Sequence, residues 1–204
     1  MRRFIEGCLA RFEPGCDPLV RTLTEVEGDI SEELLDRFRG IDQPAAVLVG
    51  LVERDHGLTV LFTQRAAHLT SHAGQISFPG GRVESEDIDA VAAALREAHE
   101  EIGLAPERVT VIGRLDSFMT VTGFLVTPVV GFVDPDFEPV PDKTEVDAVF
   151  EVPLEFLLDR NNVAETYRER LGARFKVYEF QYHGHHIWGA TASILMNFKE
   201  AIQR

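Results

Sequence analysis

A chain of 204 residues, 45% hydrophobic and 26% charged, has an ordinary globular composition and enough length to bury a sizeable core. Its 20 basic residues against 34 acidic ones give a formal charge of −14, which argues against nonspecific binding to nucleic acid or to an anionic membrane. No long apolar run or signal peptide stands out, so the expected setting is the cytoplasm, with Cys8 and Cys16 as ordinary thiols and a short disulfide as the alternative.

Residues 1–43 read as a helical N-terminal cover, with Ser31 placed to cap a helix over 32–39; residues 44–204 read as the main unit of a single compact domain. Residues 45–52 and 58–63 read as strands joined through Asp55-His56-Gly57, a hairpin signal. A Gly80-Gly81 turn and a helix follow. Strands are expected again at 109–115 and 124–133, and residues 134–143, with three prolines and three aspartates, form a surface loop. Residues 146–152 are strand-like, and Pro153 opens a short helix with 154–158. A strand over 175–182 precedes a terminal amphipathic helix over 186–202, whose apolar face is open to its own domain or to a second copy in a homodimer. Strands interleaved with helices imply an α/β fold, a mixed sheet with helices on both faces.

The helix after Gly81 carries the chemistry. Glu97, Glu100 and Glu101 stand at i, i+3 and i+4, within roughly 100° of arc on one helix face. Val91, Ala94, Leu95, Ala98 and Ile102 share a second face, centred roughly 120° away, that suits a core. Asp87 or Asp89 can cap the helix start, Gly103 fits a left-handed C′ position, and Ala98 allows close approach to a sheet. Stacked like charges repel, so a solvated acidic face, with Arg96 paired to Glu100, gains nothing from the pattern. A hard divalent cation such as Mg²⁺ or Mn²⁺, which prefers oxygen ligands, removes that penalty.

Residues 81–104 resemble the signature box of the Nudix hydrolases, which cleave nucleoside diphosphates linked to another moiety. Asp87 replaces the usual Glu after the glycine, with one extra residue before Arg96, a spacing typical of the coenzyme A pyrophosphatase branch. Upstream, Leu61-Phe62-Thr63-Gln64-Arg65 and then Leu69-Thr70-Ser71-His72-Ala73-Gly74-Gln75-Ile76-Ser77-Phe78-Pro79-Gly80-Gly81 resemble the second motif that marks this branch. Thr70 stands where that motif is often basic. The run Ile187-Trp188-Gly189-Ala190-Thr191-Ala192-Ser193-Ile194-Leu195 also resembles the branch. The resemblance implies the Nudix α/β/α sandwich, a Nudix hydrolase domain over 44–204, and coenzyme A or a derivative as substrate. The implied products are 3′,5′-ADP and 4′-phosphopantetheine.

Cutting a pyrophosphate requires charge stabilisation on phosphoryl oxygens, an activated water and a stabilised leaving group. Glu97 and Glu101, one turn apart, are the primary metal ligands expected, and Glu100 completes the cluster or orients the water. The Gly81 carbonyl is a further ligand by resemblance. Arg96 is expected to hold the glutamates in place. Glu97, Glu100 and Glu145 are candidates for the general base, with a surface role for Glu145 as the alternative. Arg65 can grip a substrate phosphate or form a surface ion pair, while His72, Gln75 and Phe78 fall in the second motif as candidate substrate contacts. For His72 and Gln75 the alternative is hydrogen bonding that stabilises the loop. Phe118 and Met119 can wall a slot for pantetheine or simply pack their loop. Trp188 can stack on adenine or sit in the core, and His183, His185 and His186 are expected as turn and capping residues. Two other readings remain: a Nudix hydrolase acting on ADP-ribose or a related nucleotide, and a regulator that binds nucleotide without cutting it.

Overall fold

The computed structural model describes residues 1–170 and 172–203. In chain order the elements are α1 (Arg2–Leu9), α2 (Pro18–Leu23), β1 (Val26–Glu27), α3 (Glu32–Arg39), β2 (Gln43–Arg54), β3 (Gly57–Arg65), β4 (Ile76–Ser77), β5 (Gly80–Arg82) and α4 (Ala90–Ile102). There follow β6 (Val109–Arg114), β7 (Phe118–Met119), β8 (Phe124–Val133), β9 (Val146–Pro153), α5 (Leu154–Leu158), β10 (Val163–Arg170), β11 (Ala173–Tyr182), β12 (His185–Trp188) and α6 (Ala190–Gln203).

The larger sheet runs β4-β3-β2-β8-β6, with β5 on β2, β7 on β8 and β9 on β3. It is mixed, because β2 is parallel to β8 and antiparallel to β3 and β5. Strand β2 is buried on both faces, as a strand between two helical layers must be. Its period of two sends Ala46, Leu48 and Val52 toward α4, and Ala45, Val49 and Leu51 into the opposite core with α1 and α6. The fold is thus the expected α/β/α arrangement. The hairpin between β2 and β3 turns where Asp55-His56-Gly57 predicts, with Arg54 opposite Gly57.

Helix α4 sits close on this sheet because Ala93, Ala94 and Ala98 are fully buried against it. Asp89 is its N-cap, accepting from the Val91 and Ala92 N–H groups at 2.9 Å. Gly103, at φ +72°, closes the helix, and the Leu104 N–H reaches back to the Ala98 carbonyl at 3.3 Å. Ser31 caps α3 through the Leu34 N–H, as its position predicts.

A smaller sheet orders β1-β11-β10 with β12 beside β11. Here the structure corrects the sequence reading. The terminal helix starts at Ala190 rather than at residue 186, because His185–Trp188 pairs with β11 and Gly189, at φ +60°, turns the chain into the helix. His186 therefore does not cap a helix: its ring bonds Glu179 at 2.9 Å, and His185 stacks on Phe150 at 3.8 Å. His183, at φ +45°, does occupy a turn. Strand β10 has no counterpart among the sequence expectations. Helix α6 buries its apolar face within this chain, through Ile194, Leu195, Phe198 and Ile202, so that face is not left for a second copy. Cys8 is buried and Cys16 exposed, both as free thiols. Among the described residues no helix is long and apolar enough to cross a membrane.

Candidate active site

The site forms where β5 and α4 meet. Hydrogen bonds from Leu48 N–H to the Pro79 carbonyl (2.8 Å) and from Val83 N–H to the Pro44 carbonyl (3.0 Å) pin residues 79–83 to β2. Gly81 lies under the carboxylate of Glu97: a Cβ at this glycine would come within 2.5 Å of the Glu97 carboxyl atoms. That missing side chain is the space in which Glu97 and the backbone face each other. Glu101 is 2% exposed and accepts from the Gly80 N–H at 3.2 Å, while the Arg65 guanidinium lies 3.5 Å from its other oxygen.

Burial is the main force on both carboxyls. It pushes Glu101 up to about 8, against the Gly80 N–H and Arg65, with Glu97 and Glu145 adding to the rise. Glu97 is raised for the same reason, opposed by Arg96 and reinforced by Glu100 and Glu145. Glu145 is exposed at the start of β9, yet its charge reaches both glutamates.

Arg96 holds the cluster from one side with all five of its N–H donors. It is bidentate to Asp87 (3.1 and 3.0 Å), donates to Glu97 (3.0 Å) and Glu100 (2.9 Å), and reaches the Arg82 carbonyl (2.9 Å). Asp87 is thus not the helix cap but the anchor of this clamp. Its side chain is 5% exposed, and the guanidinium beside it holds the carboxyl below the ordinary range. Glu100 is 56% exposed and stands at the outer edge.

Among the described residues no three acidic, imidazole or thiol groups already close into a cage, because Arg96 and Arg65 share the charge of these glutamates. The donor set still suits a hard cation. Two carboxylates one helical turn apart, both raised chiefly by burial, lie beside a glycine whose missing side chain leaves room at the Glu97 carboxylate.

The loop between β3 and β4 folds back on Arg65, whose N–H bonds the Gln75 carbonyl (2.9 Å) and whose carbonyl accepts from the Gly74 N–H (3.0 Å). His72, in left-handed backbone at φ +57°, is tied to Gln75 side chain to side chain at 2.8 Å, so this pair does brace the loop. Phe78 departs from expectation: it is 2% exposed and stacks on Phe62 at 5.0 Å, which makes it a core support for the loop rather than a surface for substrate.

Beside Arg65 opens a cavity of about 370 Å³. His72, Gln75, Phe118, Met119 and Trp188 are all among the residues that line it. Trp188 is half-buried there, with the Arg168 guanidinium 4.8 Å above its ring. Arg65 belongs both to this cavity and to the ion pair with Glu101, so the cavity adjoins the glutamates. A smaller hollow of about 240 Å³ between α3 and residues 120–123 contains none of the candidate residues.

The family model of the NUDIX domain matches residues 42–171. A protein of Enterobacter sp. (strain 638) named as an uncharacterized Nudix hydrolase, NudL, is 44% identical over 167 residues, covering 81% of this chain and 83% of its own. A protein of the same name from Salmonella paratyphi B is 47% identical over 154 residues, covering 74% and 78%. Among solved structures, a Nudix hydrolase from M. smegmatis, RenU, is 24% identical, covers 55% of this chain and 71% of its own, and superposes with a TM-score of 0.47.

Proposed function

The chain belongs to the Nudix family, and from that premise we propose that it is a divalent-cation-dependent hydrolase that cuts the pyrophosphate of coenzyme A or its derivatives. The products are 3′,5′-ADP and 4′-phosphopantetheine or its acyl form. One observation carries the reading: Arg65, on the loop that resembles the coenzyme A motif, stands between the buried Glu101 and the 370 Å³ cavity. A pyrophosphate held there would place its flanking groups in that cavity. Thr70, exposed where the motif is often basic, favours a second reading in which ADP-ribose or another nucleotide is the substrate.

In this reading Glu97, Glu101 and the Gly81 carbonyl hold Mg²⁺ or Mn²⁺, with Glu100 completing the set from the outer edge. Bound there, the cation would supply charge neutralisation at the phosphoryl oxygens and would help to activate the attacking water. Arg65 leaves Glu101 for the substrate phosphate, a bidentate partner well matched to a guanidinium. Glu145, close enough for its charge to act on both buried glutamates, takes the proton of the attacking water, with Glu97 and Glu100 as the other candidates. Arg96 touches no substrate and works by fixing Glu97 and Glu100. The enzyme is cytoplasmic in this reading, consistent with its two free thiols.

Incubation with coenzyme A and Mg²⁺ or Mn²⁺, with products identified by mass spectrometry, should release 3′,5′-ADP and 4′-phosphopantetheine. ADP-ribose, diadenosine polyphosphates and NADH run alongside; cleavage of one of these but not of coenzyme A discards the substrate assignment and keeps the hydrolase. No turnover of any of them by folded, metal-binding protein would point to a regulator instead. Arg96→Lys keeps the charge but loses the fork. It should lower kcat about ten- to a hundredfold with little change in KM, because it misplaces carboxylates rather than removing a substrate contact. A variant that raises KM alone would instead put Arg96 on the substrate.

A further inference from the structure

The lining of the cavity carries charge that pyrophosphate cleavage does not use. Alternation along β10 puts Thr166, Arg168 and Arg170 on one face, where Thr166 pairs with Val177 and Arg168 with Phe175 across β11. Phe175, Val177, Arg168 and Arg170 all border the cavity. Lys176 and Glu25 also border the cavity, but Lys176 is opposite Tyr167 and pairs with Glu165 at 3.5 Å, while Glu25 accepts from the Ser193 hydroxyl at 3.0 Å.

Two guanidiniums side by side repel each other, and ordinarily each would take a carboxylate. This chain has acids in excess, 34 against 20 basic residues, yet among the described residues Arg170 has no acidic partner. Among the described residues the one acidic partner of Arg168 is Glu179, at 3.4 Å. That carboxylate already accepts from Thr166 at 2.6 Å and bonds the His186 ring at 2.9 Å, so its charge is largely spoken for. Arg168 is also set in place by the Trp188 ring beneath it. The cavity is therefore lined by one guanidinium beside the glutamates, Arg65, and by a second pair on the strand that borders Phe175 and Val177. A solvated surface pair needs neither the shared cavity nor the aromatic seat.

We propose that Arg168 and Arg170 bind a second phosphate of the substrate, a monoester separate from the pyrophosphate that is cut. Resting on the coenzyme A reading, this is the 3′-phosphate on the adenosine half. Paired guanidinium forks match the tetrahedral oxygens of a monoester and make the site selective for substrates that carry one. The two arginines determine specificity and do not act on the reacting atoms.

Two nucleotides isolate the contact: adenosine 3′,5′-bisphosphate and 5′-AMP, which differ only in the 3′-phosphate. By calorimetry the wild-type protein should bind the bisphosphate about ten- to a hundredfold more tightly, the range of one or two charge-assisted hydrogen bonds. Arg168→Gln/Arg170→Gln should close that gap, and Arg170→Gln alone, which breaks no ion pair of the fold, should close part of it. In kinetics the double variant should raise KM for coenzyme A by a similar factor and leave 3′-dephospho-coenzyme A within about twofold. Equal binding of the two nucleotides by the wild type, or equal losses on both in the variant, would overturn the proposal. The two failures separate cleanly. Discrimination that depends on these arginines without cleavage of coenzyme A discards the substrate and keeps the site; cleavage of coenzyme A indifferent to them discards the site and keeps the substrate.

Discussion

Glu101→Gln should lower turnover by about three orders of magnitude or more with the fold intact, the expectation for losing a charged ligand of a catalytic cation. The change is nearly isosteric at a side chain that is 2% exposed, so packing against the sheet survives. The Gly80 N–H keeps an oxygen to donate to. What disappears is the negative charge, and with it the stronger grip on a divalent ion. Chelation of the cation should silence the wild type to the same level. Stability should move the other way in metal-free protein. Burial holds Glu101 at about 8 in the fold against an ordinary value of 4.5, so its contribution to stability is complete below about pH 4.5 and is lost as the pH rises through 8. Glutamine carries no such loss, so at pH 8 the metal-free variant should melt at or above the wild type. Added Mg²⁺ should raise the wild-type midpoint more than that of the variant. A variant that retains more than about a tenth of wild-type turnover would remove Glu101 from the metal site.

The parts of this site that are local in the chain can be read from it, and those made by tertiary contact cannot. A period of 3.6 places Glu97, Glu100 and Glu101 together on a face adjoining that of Ala98 and Ile102, and α4 has that arrangement, with Glu101 buried beside them. Gly103 closes it for a reason visible in residue type alone, whereas the sequence leaves the N-cap open between Asp87 and Asp89, and Asp89 takes it. Strand β10 escapes notice because Val163-Ala164-Glu165-Thr166-Tyr167-Arg168-Glu169-Arg170 is polar on both faces and its outer end is exposed, so no alternation of apolar and polar residues marks it. The start of α6 is misread because His185–Trp188 is only four residues long and its strand character comes from β11. Asp87 has two physical options, helix cap and arginine partner. Only the fold, by bringing Arg96 within 3.0 Å, decides between them. Phe78 has the same ambiguity, resolved by Phe62 on the neighbouring strand.

Adjacent glycines give the sharpest separation of site from scaffold. Gly80→Ala should destabilise the fold, and Gly81→Ala should leave it standing but inactive. Gly80 is at φ +154°, where a side chain is strained, and its Cβ would press on the Ala46 carbonyl and lie 2.6 Å from the Val47 Cα, both backbone atoms of the central strand. Backbone in a paired strand yields little, so a loss of a few kcal/mol is expected, read as a lower denaturation midpoint. Gly81 has no positive φ, and the atoms its Cβ meets belong to the carboxylate end of the Glu97 side chain, held among the described side chains only by the Arg96 guanidinium. Glu97 can swing away, which keeps the midpoint within a few degrees of wild type. The same swing moves its carboxylate from its place beside Gly81, and a displacement of about 1 Å at a reacting centre is enough for a hundredfold loss of turnover. Wild-type activity in Gly81→Ala would mean that Glu97 does not act from where it lies. Unfolding of that variant would mean that the space above Gly81 serves packing rather than the cation. Loss of activity at wild-type stability, beside an unstable Gly80→Ala, requires that the first glycine builds the turn and the second keeps room for the ligand.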